Sequence, residues 1–124
     1  MDGLIIKEKW LNLILNKEKI YEIRGCQTKK INEKIYLLES GTQKIKGTCI
    51  ITNVYKITED FWEKEKINHK VNISYNDLIK IYPHPYAWEL SYVKSLPEKF
   101  YQHPKGAVIW VKDVEAKQVE RARD

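Results

Sequence analysis

The run from Ile45 to Tyr55 does most to restrict the folds open to this chain. Its apolar residues Cys49, Ile50, Ile51 and Val54 occur at both alternation parities. Successive strand side chains point to opposite faces, so such a run is covered on much of both sides and belongs inside a sheet rather than at its edge. A second apolar run, Ile35–Glu39, precedes it across Ser40-Gly41-Thr42-Gln43. Two strands joined by about five residues that include a glycine make a β-hairpin.

Shorter elements surround this hairpin. Leu4–Ile6 reads as a strand, and Trp10, Leu11, Ile14 and Leu15 fall at helical spacing within Lys7–Leu15. Thr58 ahead of Glu59 and Asp60 predicts a capped helix running to about Ile67. Ser74 with Asp77 three residues on predicts a second helix, Tyr75–Ile81, ended by Pro83 and Pro85. Tyr86–Val93 and Ala107–Val111 read as strands, with Lys94–Lys105 a long connection holding Pro97 and Pro104. Regular βα alternation is missing, so the expected class is α+β: a mostly antiparallel, closed β-barrel with two or three short peripheral helices. Residues 1–113 read as one domain and 114–124 as a C-terminal tail. After Asp113 the sequence EAKQVERARD holds two of the three arginines and no Ile or Asn. That tail is either a terminal helix or a segment not native to the domain.

Length and composition exclude some classes. The chain has 124 residues, 43% hydrophobic and 31% charged, which suits one globular domain with a modest core. It has no apolar run near the roughly 20 residues of a membrane span. The N-terminus has no long apolar segment of the kind a signal peptide carries, so a cytoplasmic location is expected. Cys26 and Cys49 lack the spacing of a metal framework, and neither a metal nor a cofactor is expected. No histidine lies near Cys26 in sequence to activate its thiol. The formal net charge of +5 permits a polyanionic partner without requiring one, because lysine enrichment beside Ile and Asn also follows from an AT-rich genome.

The arginines say more. Nineteen of the 22 cations are lysine, and Arg24 is the one arginine in the body of the chain. Where lysine is the default, an arginine marks a need for a planar, permanently charged fork. Arg24 closes the short strand Tyr21–Arg24, in which Glu22 and Arg24 share one face while Tyr21 and Ile23 turn into the core. Lys19 sits where a turn brings its ammonium to the Glu22/Arg24 side. The following loop carries Thr28, Lys29 and Lys30, either as phosphate contacts or as solvated surface. Tyr101 lies in the long connection and is the aromatic expected to be exposed for stacking. His69, His84 and His103 are scattered on loops by this reading, with His84 in an exposed turn.

The segments KEKIYEIRG, KKINEKIYLLESG and IKGTCIITNVYKI together resemble the ASCH domain family, whose members have a PUA-like β-barrel. Lys19, Glu22, Arg24, Ser40 and Gly47 match its lysine, Glu-x-Arg strand and hairpin. Trp88, Pro97 and Gly106 lie where the closing part of such domains has them, so the resemblance runs over about residues 3 to 112. It implies a cleft beside the barrel, lined by Lys19, Glu22 and Arg24, that takes RNA or a nucleotide-like ligand. The candidate ligand-binding set is therefore Lys19, Tyr21, Glu22, Arg24, Thr28, Lys29, Lys30, Ser40 and Tyr101.

Three further readings stand beside a binding module. Some ASCH-like proteins are amidohydrolases of acetylated cytidine, with a lysine, a threonine three residues later and a distant glutamate. Here Lys19 matches, but Glu22 stands in the threonine's place and no acid occupies the stretch before Ser74. A carboxylate beside Lys19 is expected to raise its pKa and leave it an ion-paired binding group rather than a nucleophile. A metal-free ribonuclease is the second, with Glu22 as base and Lys19 or Arg24 stabilising the phosphate. The third is a structural or protein-interaction domain in which Glu22 and Arg24 only pack the barrel.

Overall fold

The computed structural model of the chain describes residues 1–118. Among these residues seven strands, β1 (Gly3–Ile6), β2 (Tyr21–Arg24), β3 (Lys34–Glu39), β4 (Lys44–Lys56), β5 (Tyr86–Phe100), β6 (Trp110–Val111) and β7 (Lys117–Gln118), form one sheet. Four short helices complete it: α1 (Glu8–Leu15), α2 (Glu59–Lys64), α3 (Lys66–His69) and α4 (Tyr75–Ile81). The strands run in the order β2-β5-β4-β3-β1-β6, with β7 paired to the far end of β5. Every pairing is antiparallel except β1 with β3. The α+β class follows as expected.

The sheet curls into a half-barrel rather than closing through strand pairing. At the ends of the path stand β2, four residues long, and β6, two residues long, and they do not pair with each other. A side chain crosses the seam instead: Nη2 of Arg24 on β2 donates to the Ile5 carbonyl of β1 at 2.8 Å. The curl comes from the long central pair β4–β5, whose register shifts in three places. Each bulge bends the strand and increases its twist.

One bulge corrects an expected loop. β5 does not stop at Val93 but continues to Phe100 through Pro97. Pro97 falls between the pairs Gly47↔Ser95 and Ile45↔Lys99, where the ladder is interrupted and a missing N–H costs no bond. The closing strand, expected over Ala107–Val111, is reduced to Trp110–Val111.

The helix starts fall where capping places them. Thr58 accepts from the Phe61 N–H and Ser74 from the Asp77 N–H, both at 3.1 Å. The first of these helices breaks at Glu65 instead of running on to Ile67, and α3 ends at Lys70 in the left-handed region. Inside the half-barrel, Leu4, Ile6, Leu37, Cys49, Ile51 and Trp88 pack beneath Leu11 and Ile14 of α1. Gly47 permits this cover, because a Cβ there would collide with the Lys94 carbonyl and press on Leu15. The opposite face of β2 carries Tyr21 and Ile23 against Trp62 and Leu78 of the other helices. Beyond Asp113 the described backbone is extended. Val114 packs with Ile5 and Val111, its N–H donates to the Met1 carbonyl at 2.8 Å, and β7 pairs with Lys99 and Phe100. Residues 119–124 of the expected tail lie outside the described residues.

Candidate functional site: a charged cleft at the seam

Because β2 alternates, Glu22 and Arg24 face the mouth of the half-barrel while Tyr21 and Ile23 pack against the helices, Ile23 also reaching the lining of the cleft. Glu22 stands opposite Trp88 on β5, and Trp88 anchors the turn after β2 by donating its indole N–H to the Cys26 carbonyl at 2.9 Å. The Arg24 guanidinium lies over the Trp88 ring at 5.7 Å and Trp88 stacks on Trp110 at 6.0 Å. A cleft of about 650 Å³ opens here. Its polar lining is Lys7, Lys19, Glu22, Arg24 and Ser40, and its apolar walls include Ile73, Ile81, Tyr82 and Val108. Ile81 and Val108 are largely exposed. Gly25 keeps the wall close, since a Cβ on it would strike the Tyr82 ring.

Glu22 is 5% exposed, and among the described residues its ion-pair partner is Arg24, at 2.8 Å. Arg24 therefore holds both a carboxylate two residues away and a carbonyl across the seam. Both bonds leave from Nη2, while the guanidinium plane lies over the Trp88 ring, a stacking contact that a lysine's compact ammonium does not make.

Lys19 is 1% exposed. Its ammonium donates to the His69 carbonyl and lies 4.8 Å from the centre of the Trp10 ring, with no carboxylate within ion-pair distance among the described residues. Burial pulls its pKa down to about 8; Glu22 nearby raises it and Arg24 lowers it, but the loss of solvent outweighs both. Glu22 acts on Lys19 in the expected direction, but burial exceeds it, so the expectation of a raised pKa is corrected to a lowered one.

His69 is not on a loop but at the end of α3, fully buried and stacked on Trp62 at 3.7 Å. Nδ1 accepts from the Val71 N–H at 3.0 Å, so Nε2 carries the proton and donates to the Trp62 carbonyl at 2.9 Å. Burial lowers its pKa. This neutral ring fixes the backbone whose carbonyl receives Lys19. His84 is exposed, as expected.

The structure gathers Lys19, Glu22, Arg24 and Ser40 on the cleft and leaves Tyr21, Thr28, Lys29, Lys30 and Tyr101 off it. Tyr21 is buried against Tyr55 and Phe61. Thr28 accepts from the Lys30 N–H within its own turn, and Lys29 is exposed. Lys30 turns to the outer surface, where its ammonium pairs with Asp2 and lies 5.5 Å from the Trp110 ring. Tyr101 is corrected from exposed to buried: it is 4% exposed, with its hydroxyl on Nδ1 of His103 at 2.8 Å. The continuation of β5 carries it back into the core beside Ile45 and Val111.

Sequence reasoning missed Lys7 and Trp10 as lining residues. Helical spacing places Trp10 with the apolar residues of α1; that Lys7 stands one turn before it, on the cleft, depends on how α1 docks. Among the described residues no group of His, Cys, Asp or Glu is placed to hold a metal ion, and no helix is long and apolar enough to cross a membrane.

Neither a protein-family model nor a curated protein matches this sequence. Solved structures do. The ASCH protein from Zymomonas mobilis superposes with a TM-score of 0.60 at 10% identity, over 78% of this chain and 71% of that one. Two single-substitution variants of the ASCH protein from the same organism superpose with a TM-score of 0.61 at 10% identity, over 78% of this chain and 73% and 71% of theirs. What is shared at that identity is architecture. The chain has an ASCH-like, PUA-type α+β fold.

Proposed function

We propose that the chain binds RNA or a nucleotide-like ligand by taking one nucleotide into the cleft at the seam. The observation that carries this reading is the meeting of Lys19, Glu22 and Arg24 in one recess of about 650 Å³ whose other walls are apolar. That volume is within the range of small-ligand pockets. A base is a flat apolar body with a polar edge. Ile73, Ile81, Tyr82 and Val108 offer the body a surface, and the Glu22 carboxylate and Arg24 fork offer its edge an acceptor and donors. Affinity comes from the recess rather than from a lysine track, since Lys29 is off the cleft and Lys30 is committed to Asp2.

Fluorescence anisotropy with labelled single-stranded RNA at two salt concentrations tests this. Salt-sensitive binding that Glu22→Gln weakens, in a variant with unchanged circular dichroism, supports the reading. RNA that binds neither protein at either salt concentration removes RNA as the ligand and leaves the free nucleotide to be tested.

A second reading has its own observation. Lys19 is buried without an ion-pair contact among the described residues, and burial pulls its pKa down to about 8, towards the free amine. That makes Lys19 a candidate base or nucleophile in hydrolysing an acylated amine such as acetylcytidine, with acetate and the free amine as products. Chromatography of acetylcytidine incubated with the protein and with Lys19→Met decides it. Substrate that stays intact with both removes the reading, as does equal turnover by both. Running the RNA reactions on a gel checks strand cleavage through Glu22 in the same way.

A further inference from the structure

The charges lining the cleft do not balance. Among the described residues Lys7, Lys19 and Arg24 are cationic, Glu22 alone is anionic, and Glu22 is taken by Arg24. Lys19 is left nearly sealed from water with a main-chain carbonyl and an aromatic ring as company. A buried ammonium with no ion-pair contact among the described residues opposes folding and favours any anion that reaches it.

The uncompensated groups also lie together. Lys7 leads into α1 one turn before Trp10, and the Trp10 ring carries the Lys19 ammonium. Ser40, at the tip of the β3–β4 hairpin, donates its backbone N–H to the Ile6 carbonyl at 2.9 Å, which fixes it beside the residue preceding Lys7. The neighbouring acids do not intrude. Glu8 and Glu39 are not on the cleft, and Glu39 faces Lys46 at 3.6 Å.

We propose that Lys7, Lys19 and Ser40 form a phosphate subsite on the β1–α1 side of the cleft, so that its ligand is a phosphorylated nucleotide and not a free nucleoside; this rests on the nucleotide-binding reading above. Lys19 supplies the charge from the floor, Lys7 closes over the phosphate from the rim, and the Ser40 hydroxyl donates to a third oxygen. Glu22 and Arg24, on the β2 side, are left for the base. The phosphate is either the monoester of a free nucleotide or a diester within a strand, and the contacts are the same for both.

The test compares the four nucleosides, their 5′-monophosphates and a short single-stranded RNA by calorimetry, on the wild type and on Lys7→Gln. Lys7 is exposed, so the variant is expected to keep its fold. The expected result is monophosphates binding about tenfold or more tighter than nucleosides, with Lys7→Gln erasing most of that difference. RNA that binds while monophosphates do not, and that Lys7→Gln weakens, also supports the subsite and assigns the diester. Nucleosides binding as tightly as their monophosphates would overturn the subsite while leaving the nucleotide-binding reading intact. So would a phosphate-dependent gain that Lys7→Gln leaves untouched. If nothing in any arm binds, both fall.

Discussion

Lys19 and Lys30 are eleven positions apart and sit in opposite circumstances. Lys30 is half-buried on the outer surface with its ammonium on Asp2, and that hydrogen bond raises its pKa. Lys19 is buried in the cleft with no ion-pair contact among the described residues, and burial lowers its pKa to about 8. The first cation is already satisfied by the protein and has little to offer a ligand. The second is held at a cost the fold does not repay. Burial without an ion pair, rather than charge as such, separates Lys19 from Lys30.

Arg24 is the reference against which both lysines are measured, and the largest effect belongs to it. Arg24→Ala strands the buried Glu22 carboxylate and releases the seam, so it is expected to cost about 3 kcal/mol or more in urea unfolding. An unchanged midpoint would mean that Glu22 finds water and that the pair is not a structural tie.

The next effect isolates Lys19 by pH. Its folded pKa, about 8, lies below the value of 10.5 expected unfolded. The unfolded chain therefore holds more protons between these values, and stability contributed by this group rises with pH through that window. Below pH 8 the ammonium is charged in both states and its penalty is complete; above 10.5 the penalty has gone. The difference in stability between wild type and Lys19→Met should move by about 3 kcal/mol in favour of wild type from pH 8 to 10.5. A flat difference would place the ammonium in contact with water.

At pH 7 the same substitution trades a buried charge for an apolar chain and leaves the His69 carbonyl unpaired. These oppose each other, and Lys19→Met is expected to lie within about 1 kcal/mol of wild type in thermal unfolding. A loss as large as that of Arg24→Ala would make Lys19 part of the framework and erase the contrast with Lys30. The smallest effect is Lys30→Ala, at about 0.5 kcal/mol and diminished by salt, as befits a surface pair. A salt-independent loss above 2 kcal/mol would show that its contact with Asp2 and the Trp110 ring is a true core interaction.

What could be read from the sequence were features written within a few residues. The Thr58 and Ser74 caps, the hairpin, and the shared face of Glu22 and Arg24 depend on spacing, and the structure reproduces them. Features set by distant partners could not be read. Asp2 claims Lys30 across 28 positions. Lys19 is three positions from Glu22, which invites an ion pair, yet Arg24 from the same strand takes the carboxylate and the carbonyl of His69 takes the lysine. Pro97 looks like a loop residue because proline cannot serve a regular ladder, but a bulge in β5 accommodates it and draws Tyr101 inward. The parallel pairing of β1 with β3 has no local signature, because α1 and β2 intervene in the chain.

The guanidinium that spans β2 and β1 makes the half-barrel a clasp. One lip of the recess belongs to β2 at one end of the sheet and the other to β1, next to the last strand at the opposite end, and among the described residues Arg24 supplies a side-chain hydrogen bond between them. An occupant that touches Glu22 on one lip and Lys7 on the other acts as a second pin in the same hinge. Filling the recess and stiffening the sheet then become one event, and slowed amide exchange at the ends of β1 and β2 would report occupancy without any label on the guest.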